Sequence, residues 1–243
     1  MNALILAAGY GTRLAAVAQN RPKPLLEVSN KPLIDYSVEK LKTVKGLEEI
    51  VVVSNNKFYD QFCDWAKVHA PLKIRVVNDG SNTPEDRLGS VGDMNFVWKN
   101  EKTAKDWLVL GGDNLFDQDL NASLDFARAK APAVTIGMYD IGDIDAAAKF
   151  GVLSVDKTGK VTDFQEKPAK PATSLISMCF YYFPKETAGY IQEYAQSAKN
   201  LDTAGSYIQW LVQKKNVYGF QFRGKWYDIG SVESLREAQK YFK

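Results

Sequence analysis

Short apolar runs that stop abruptly at turn residues constrain this chain more than any other feature. Ala3–Ala8 (ALILAA) halts at Gly9, Ile50–Val53 (IVVV) at Ser54, and Trp107–Gly111 (WLVLG) ends in its own glycine. Val134–Met138 repeats the theme, and Lys73–Val77 reads as a further strand. Runs this brief, without the polar alternation of a strand with one wet face, read as strands buried on both faces. Helical patterns lie between them. Leu33, Ile34, Val38, Leu41 and Val44 recur at helical spacing, started at Asn30-Lys31-Pro32 with the proline in the first turn and stopped by Gly46. Phe58, Phe62 and Trp65 mark a second helix, and Gly89–Lys99 a third. The alternation predicts an α/β fold: a mostly parallel sheet covered by helices on both faces.

The pattern changes after about Gly151. Gly151–Val155 and Val161–Gln165 flank Asp156-Lys-Thr-Gly159, which predicts a β-hairpin. Leu175–Phe183 reads as a long strand ended by Pro184. A helix follows, then another near Tyr207–Lys214, short strands at Val217–Phe222 and Trp226–Asp228, and a final helix from about Val232 to Phe242. The late strands are expected to return to the same sheet. With no repeat, low-complexity stretch or flexible linker, residues 1–243 read as one domain.

Composition narrows the chemistry. The 31 basic and 29 acidic residues nearly balance, which gives no electrostatic case for nucleic acid or membrane as partner. No apolar run approaches a membrane span, and the opening MNALILAAGYGTRL lacks a basic segment ahead of its apolar run, so it does not read as a signal peptide. Cys63 and Cys179 read as buried thiols of a cytoplasmic protein rather than a disulfide or a metal pair. His69 is the only histidine and is expected on a helix surface. Histidine-based zinc sites and Ser-His-Asp hydrolysis are thereby all but excluded. The chemistry left is that of carboxylates, lysines, arginines and backbone amides.

The first strand runs straight into Gly9-Tyr-Gly11-Thr12-Arg13-Leu14. Glycines at such a turn let backbone N–H groups approach a phosphate. No Gly-Lys-Ser/Thr follows, so this is not a Walker A loop. It is also a poor dinucleotide fingerprint: Leu14 holds the third glycine position, and Ser54-Asn55-Asn56 offers no acid for a ribose. Arg13 adds a permanently charged fork suited to a triphosphate. Arg21-Pro22-Lys23-Pro24-Leu25 then sets a lysine between two prolines that stiffen its backbone.

Taken together, Leu6–Leu14 and Pro22–Leu25 resemble the sugar-1-phosphate nucleotidylyltransferases, in particular the glucose-1-phosphate thymidylyl- and uridylyltransferases. Further segments match that family in order: Leu88-Gly89-Ser-Val-Gly92, Gly112-Asp113-Asn114, Lys149-Phe150-Gly151-Val152, Glu166-Lys167-Pro168 and Trp226-Tyr-Asp228-Ile-Gly230. The chain departs from the family at Ala15-Ala16-Val17, where Pro-Leu-Thr often stands. It also ends one helix after Asp228, so the hexapeptide β-helix and acyltransferase activity of some relatives are not expected.

The resemblance implies a Rossmann-like, GT-A-like three-layer fold. The reaction it implies joins a nucleoside triphosphate to a sugar 1-phosphate, releasing pyrophosphate, with UTP or dTTP and glucose 1-phosphate preferred. It assigns Mg²⁺ to Asp113 and Asp228, catalytic charge to Arg13 and Lys23, and nucleotide binding to Ala8, Gly9, Gly11, Thr12 and Gly89. The sugar phosphate falls to Gly151, Glu166 and Lys167. The partners are then small molecules, with homo-oligomerisation left open. A cytidylyl- or guanylyltransferase for phosphocholine, mannose or heptose phosphate is the alternative within the class. Outside it stand a non-catalytic nucleotide-sugar sensor and, disfavoured by the broken fingerprint, an NAD-dependent oxidoreductase.

Overall fold

The computed structural model describes residues 1–198 and 201–242, apart from the side chains of Arg13, Ala15 and Ala16. The strands in chain order are β1 (Asn2–Leu6), β2 (Glu27–Val28), β3 (Lys31–Pro32), β4 (Glu49–Ser54), β5 (Ile74–Asn78), β6 (Trp107–Gly111), β7 (Asn114–Phe116), β8 (Val134–Asp140), β9 (Gly151–Val155), β10 (Val161–Glu166), β11 (Leu175–Phe183), β12 (Val217–Gln221) and β13 (Trp226–Asp228). The helices are α1 (Ala15–Ala18), α2 (Leu33–Leu41), α3 (Tyr59–Lys67), α4 (Gly89–Lys99), α5 (Asn121–Lys130), α6 (Ile144–Ala147), α7 (Tyr190–Ser197), α8 (Ala204–Lys214) and α9 (Val232–Tyr241).

The main sheet runs in the order β10-β9-β11-β6-β1-β4-β5, with β8 against β11 and β12 against β8. Pairings of β6, β1, β4 and β5 are parallel. The long β11 reverses direction and pairs antiparallel with β6, β8 and β9. Successive side chains of β1 point to opposite faces, so Ala3 and Ile5 join one core while Leu4 joins the other. The first core is closed by α2, α3 and α5 through residues such as Ile34, Phe62 and Leu124. The second is closed by α4, α7 and α8 through Met94, Ile191 and Tyr207. Each fully buried Ile, Leu or Phe in these layers contributes ~1.5–3 kcal/mol relative to exposure. This is the three-layer α/β arrangement expected from the alternation of apolar runs. A smaller cluster around Leu14, Val28, Leu33, Leu115 and Ile229 seats α9 beside the β2–β3 hairpin.

Several local expectations are corrected. Pro32 is extended and lies ahead of α2 rather than in its first turn, because the β2–β3 hairpin pairs it with Glu27. The helix closes at Leu41; Val44 follows through a tight turn, bonding Leu41 carbonyl before Gly46 at φ 77°. Val217–Gln221 does return to the main sheet, but Trp226–Asp228 pairs with β7 in a separate ribbon. His69 is not a surface residue: its ring packs on Trp65 at 4.7 Å, and Nε2 lies 3.1 Å from Asp35 Oδ1. The hairpin turn at Asp156–Gly159 forms as expected, with Gly159 at φ 81° and the Asp156 carboxylate accepting from the Thr158 and Lys160 amides.

Candidate active site

Two carboxylates far apart in the chain are brought together by a three-residue strand pairing. Strand β6 ends at Gly111, the chain turns through Gly112 and Asp113, and β7 follows. Strand β13 runs antiparallel to β7 with Asp228 opposite Asn114, and the Ile229 amide donates to the Asp113 carbonyl at 3.1 Å. Trp226 Nε1 donates to Asn114 Oδ1 at 2.8 Å and locks the ribbon. The turn needs its glycines. A Cβ at Gly112 would lie 2.8 Å from the Leu6 carbonyl, and one at Gly111 would lie 2.9 Å from Asp113 Oδ1.

Lys23 completes the cluster. Residues Lys23–Leu25 form one 3₁₀ turn after the extended Pro22, and Pro24 packs against Gly112. The ammonium then lies 2.7 Å from Asp113 Oδ2 and 3.8 Å from Asp228 Oδ1. The lysine side chain is 13% exposed and each carboxylate about a third.

Two cavities meet at Asp113. The smaller, about 220 Å³, is lined by Gly9, Gly11, Thr12, Lys23 and Gly230. Gly11 sits at φ 61°, a conformation costly to any side chain, and opens the turn toward the cavity. Ala8 does not line it; its carbonyl accepts from Asn55 Nδ2 at 2.8 Å and ties the loop to the end of β4. Gly89 is also apart. Residues Leu201 and Asp202 cover it, and their carbonyls accept from the Val91 and Ser90 amides at the start of α4. The Arg13 side chain lies outside the described residues.

The larger cavity, about 640 Å³, holds Gly151, Glu166, Lys167 and Asp228. Gly151 and Glu166 are register partners across the β9–β10 hairpin. Glu166 lies beneath α8, with its carboxylate where a Cβ on Gly205 would fall. Burial raises its carboxyl above the usual range, against the opposing pull of Lys167. Lys167 occupies a left-handed backbone conformation at φ 46°, held by its amide donating to the Phe150 carbonyl at 3.0 Å. Its ammonium is 3.9 Å from Glu166 Oε1, on a side chain 58% exposed. Non-glycine residues held this way cost about 1–3 kcal/mol and cluster at ligand clamps.

Three neighbours were not anticipated. Cys179, at φ 50° in the bulge of β11, turns its thiol toward Gly111 in this cavity, and burial pushes that thiol up to about 12. Asp202 takes a bidentate pair of 2.9 Å bonds from Arg87, linking the polar loop before α4 to the cavity rim. Gly205 is the third. Of these, only Gly205 carried a local signal, as a glycine in the first turn of a helix.

The arrangement can hold a cation between carboxylates and present further cationic groups to phosphates. Asp113 and Asp228 already share one positive charge, the Lys23 ammonium, so both lie within reach of a single ion. Carboxylate oxygens are the donors Mg²⁺ prefers, and Mg²⁺ keeps several waters and takes few protein ligands. The residues therefore fit that ion. Among the described residues no group of three or more histidine, cysteine, aspartate or glutamate side chains is placed to hold a metal ion.

The profile of the nucleotidyl transferase family matches residues 2–243, and the chain belongs to that family. Its members are enzymes that generally act on sugar 1-phosphates with a nucleoside triphosphate and use a divalent metal. The chain is 28% identical over 246 residues to the bifunctional protein GlmU of Methanocaldococcus jannaschii, covering 99% of this chain and 54% of that protein. It is 24% identical over 251 residues to the glucose-1-phosphate adenylyltransferase of Clostridium acetobutylicum, covering 97% of this chain and 65% of the other. It thus spans about half the length of the GlmU relatives. The fold is shared with a structure described as a glucose-1-phosphate thymidylyltransferase of Bacillus anthracis, at TM-score 0.86, 21% identity and coverage of 99% and 94%. A UDP-glucose pyrophosphorylase complexed with UDP-glucose has TM-score 0.83, 20% identity and coverage of 99% and 97%. Among the described residues no helix is long and apolar enough to cross a membrane.

Proposed function

We propose that residues 1–243 form one nucleotidyltransferase domain that joins UTP or dTTP to glucose 1-phosphate and releases pyrophosphate. The observation that carries this reading is the Lys23 ammonium held between Asp113 and Asp228 where the two cavities meet. One cavity is glycine-lined and suits a triphosphate; the other offers Glu166, Lys167 and the Gly151 backbone to a phosphorylated sugar.

The chemistry needs no general base. A phosphate monoester has a second pKa of ~6 and is mostly a dianion at neutral pH. One of its oxygens attacks the α-phosphorus, and the bond to the bridging oxygen breaks as pyrophosphate departs. The barrier is electrostatic, so catalysis consists of in-line placement and charge neutralisation. Lys23 meets the charge that grows on the five-coordinate phosphorus, and Arg13 clamps the departing β- and γ-phosphates. Gly9, Gly11 and Thr12 line the nucleotide side, Ala8 supports that loop through its bond from Asn55, and Gly89, covered by Leu201 and Asp202, is left with a structural part at the start of α4. Lys167 holds the sugar phosphate, and Glu166 accepts hydrogen bonds from sugar hydroxyls. Asp113 and Asp228 would hold Mg²⁺, which supplies charge neutralisation at the phosphate oxygens when bound. The enzyme is read as cytoplasmic, working on free small molecules.

The test is a matrix of nucleoside triphosphates against sugar 1-phosphates, read by pyrophosphate release with and without Mg²⁺. Turnover with one pair, reversed by added pyrophosphate, is the expected result. Binding of a nucleotide sugar by folded protein without turnover of any pair would establish the sensor reading instead.

A further inference from the structure

A second cavity system lies away from Asp113. It is a cleft of about 620 Å³ lined by Lys130, Lys160, Lys214 and Lys215, with Tyr190 and Tyr218 in its walls. It forms where the ends of α5 and α8, the starts of α7 and β12, and the β9–β10 turn converge. Among the described residues no acidic residue lines it. Lys214 lies 3.8 Å from Glu193, and Lys160 feels the charge of Asp156 across its turn. Among the described residues Lys130, Lys160 and Lys215 have no carboxylate within ion-pair distance.

The ammonium groups are also placed rather than loose. Lys130 Nζ sits 4.6 Å from the Tyr218 ring centroid, and Lys215 Nζ 4.4 Å from that of Tyr190. Such cation–π contacts hold a cation without neutralising it. Three half-buried lysines facing one concavity repel each other, and a polyanion relieves that repulsion. The cleft is an open concavity of small-ligand volume, and its lysines converge on one hollow rather than run along an extended charged surface, which favours a small molecule over a nucleic acid or a bilayer.

We propose that this cleft is a binding site for a small phosphate-anhydride ligand, the chemistry shared by pyrophosphate and nucleoside di- and triphosphates. Two elements run from it to the candidate active site. Strand β10 leaves Lys160 and ends at Glu166, and α8 begins beside Glu166 at Gly205 and ends at Lys214. A ligand here therefore grips both elements that shape the sugar-phosphate side.

The experiment is lysine acetylation footprinting of the full chain by mass spectrometry, with pyrophosphate and UTP as separate probes at about 1 mM. Protection of Lys130, Lys160 and Lys215 by either probe is expected. Protection by UTP alone would identify the nucleotide, and protection by both the anhydride, as the group recognised. Equilibrium dialysis of pyrophosphate with Lys160→Gln/Lys215→Gln and with Lys23→Gln separates the two sites. The cleft variant should bind at least tenfold more weakly at one site while the Lys23 site persists. If neither probe protects the cleft lysines, or the double variant binds as the wild type does, the proposal is overturned. Loss of binding only in Lys23→Gln would overturn it too, leaving the active-site reading intact.

Discussion

Replacing Lys23 by glutamine should pull two measurable quantities in opposite directions. In the free chain the ammonium bonds Asp113 at 2.7 Å and lies 3.8 Å from Asp228, so an incoming divalent cation must compete with it. A hydrogen bond between charged groups contributes ~1.5–3 kcal/mol, and solvent at the one-third exposed carboxylates argues for the low end. Gln, one atom shorter, keeps a polar and unbranched stem and removes the charged competitor. The affinity of the free chain for Mn²⁺, titrated by electron paramagnetic resonance without nucleotide, should therefore rise about tenfold. At the same time the transition state loses a cation, and kcat should fall by ~10²–10³-fold, as when one electrostatic donor is removed. Mn²⁺ binding that weakens or stays constant would refute the competition argument. An unchanged kcat would refute the role of Lys23 at the α-phosphorus.

Lys167→Ala should raise the KM for the sugar 1-phosphate by ~10–100-fold with a smaller change for the triphosphate, since a charged hydrogen bond to the acceptor is lost in ground and transition states alike; steady-state kinetics on both substrates decide it. Gly205→Ala places a methyl carbon well inside contact distance of the Glu166 carboxylate, which must then move, so the KM for the sugar phosphate should rise in steady-state kinetics, while the ~1 kcal/mol by which alanine favours the helix offsets only part of the clash in the melting temperature. Burial, helped by Asp79, lifts the Asp93 carboxyl to about 8. The folded state therefore binds this proton more tightly than the unfolded chain, and the stability it contributes is lost as pH rises from about 4 toward that value. Asp93→Asn should melt higher than wild type at pH 8, with the gap closing toward pH 4 in thermal unfolding followed by circular dichroism.

The parts of the site that local chemistry dictates could be read from sequence. Gly11 needs a positive φ, prolines on either side stiffen Lys23, and Gly112 must pass close to Leu6; each leaves a residue type as its mark. Buried strands such as Trp107–Gly111 announce themselves because both faces are covered. The β7–β13 ribbon does not, since three residues pairing across 110 to 114 positions of chain carry no periodicity. It is nonetheless what sets Asp228 beside Asp113. Helix α5 was legible in principle from Leu120, Leu124 and Ala127 on one face, yet it was not anticipated. The covering of Gly89 by Leu201 and Asp202, the placing of Cys179 and the burial of His69 are tertiary events with no local mark.

The most direct test of the central claim compares pyrophosphate release by wild type, Asp113→Asn, Asp228→Asn and the double variant under Mg²⁺, with melting temperatures measured alongside. Each single variant should lose activity by orders of magnitude while melting near the wild-type temperature, and the double variant should be little worse than either, because the two carboxylates serve one ion. Activity that survives in Asp113→Asn while its melting temperature drops would contradict the account and make Asp113 a structural partner of Lys23.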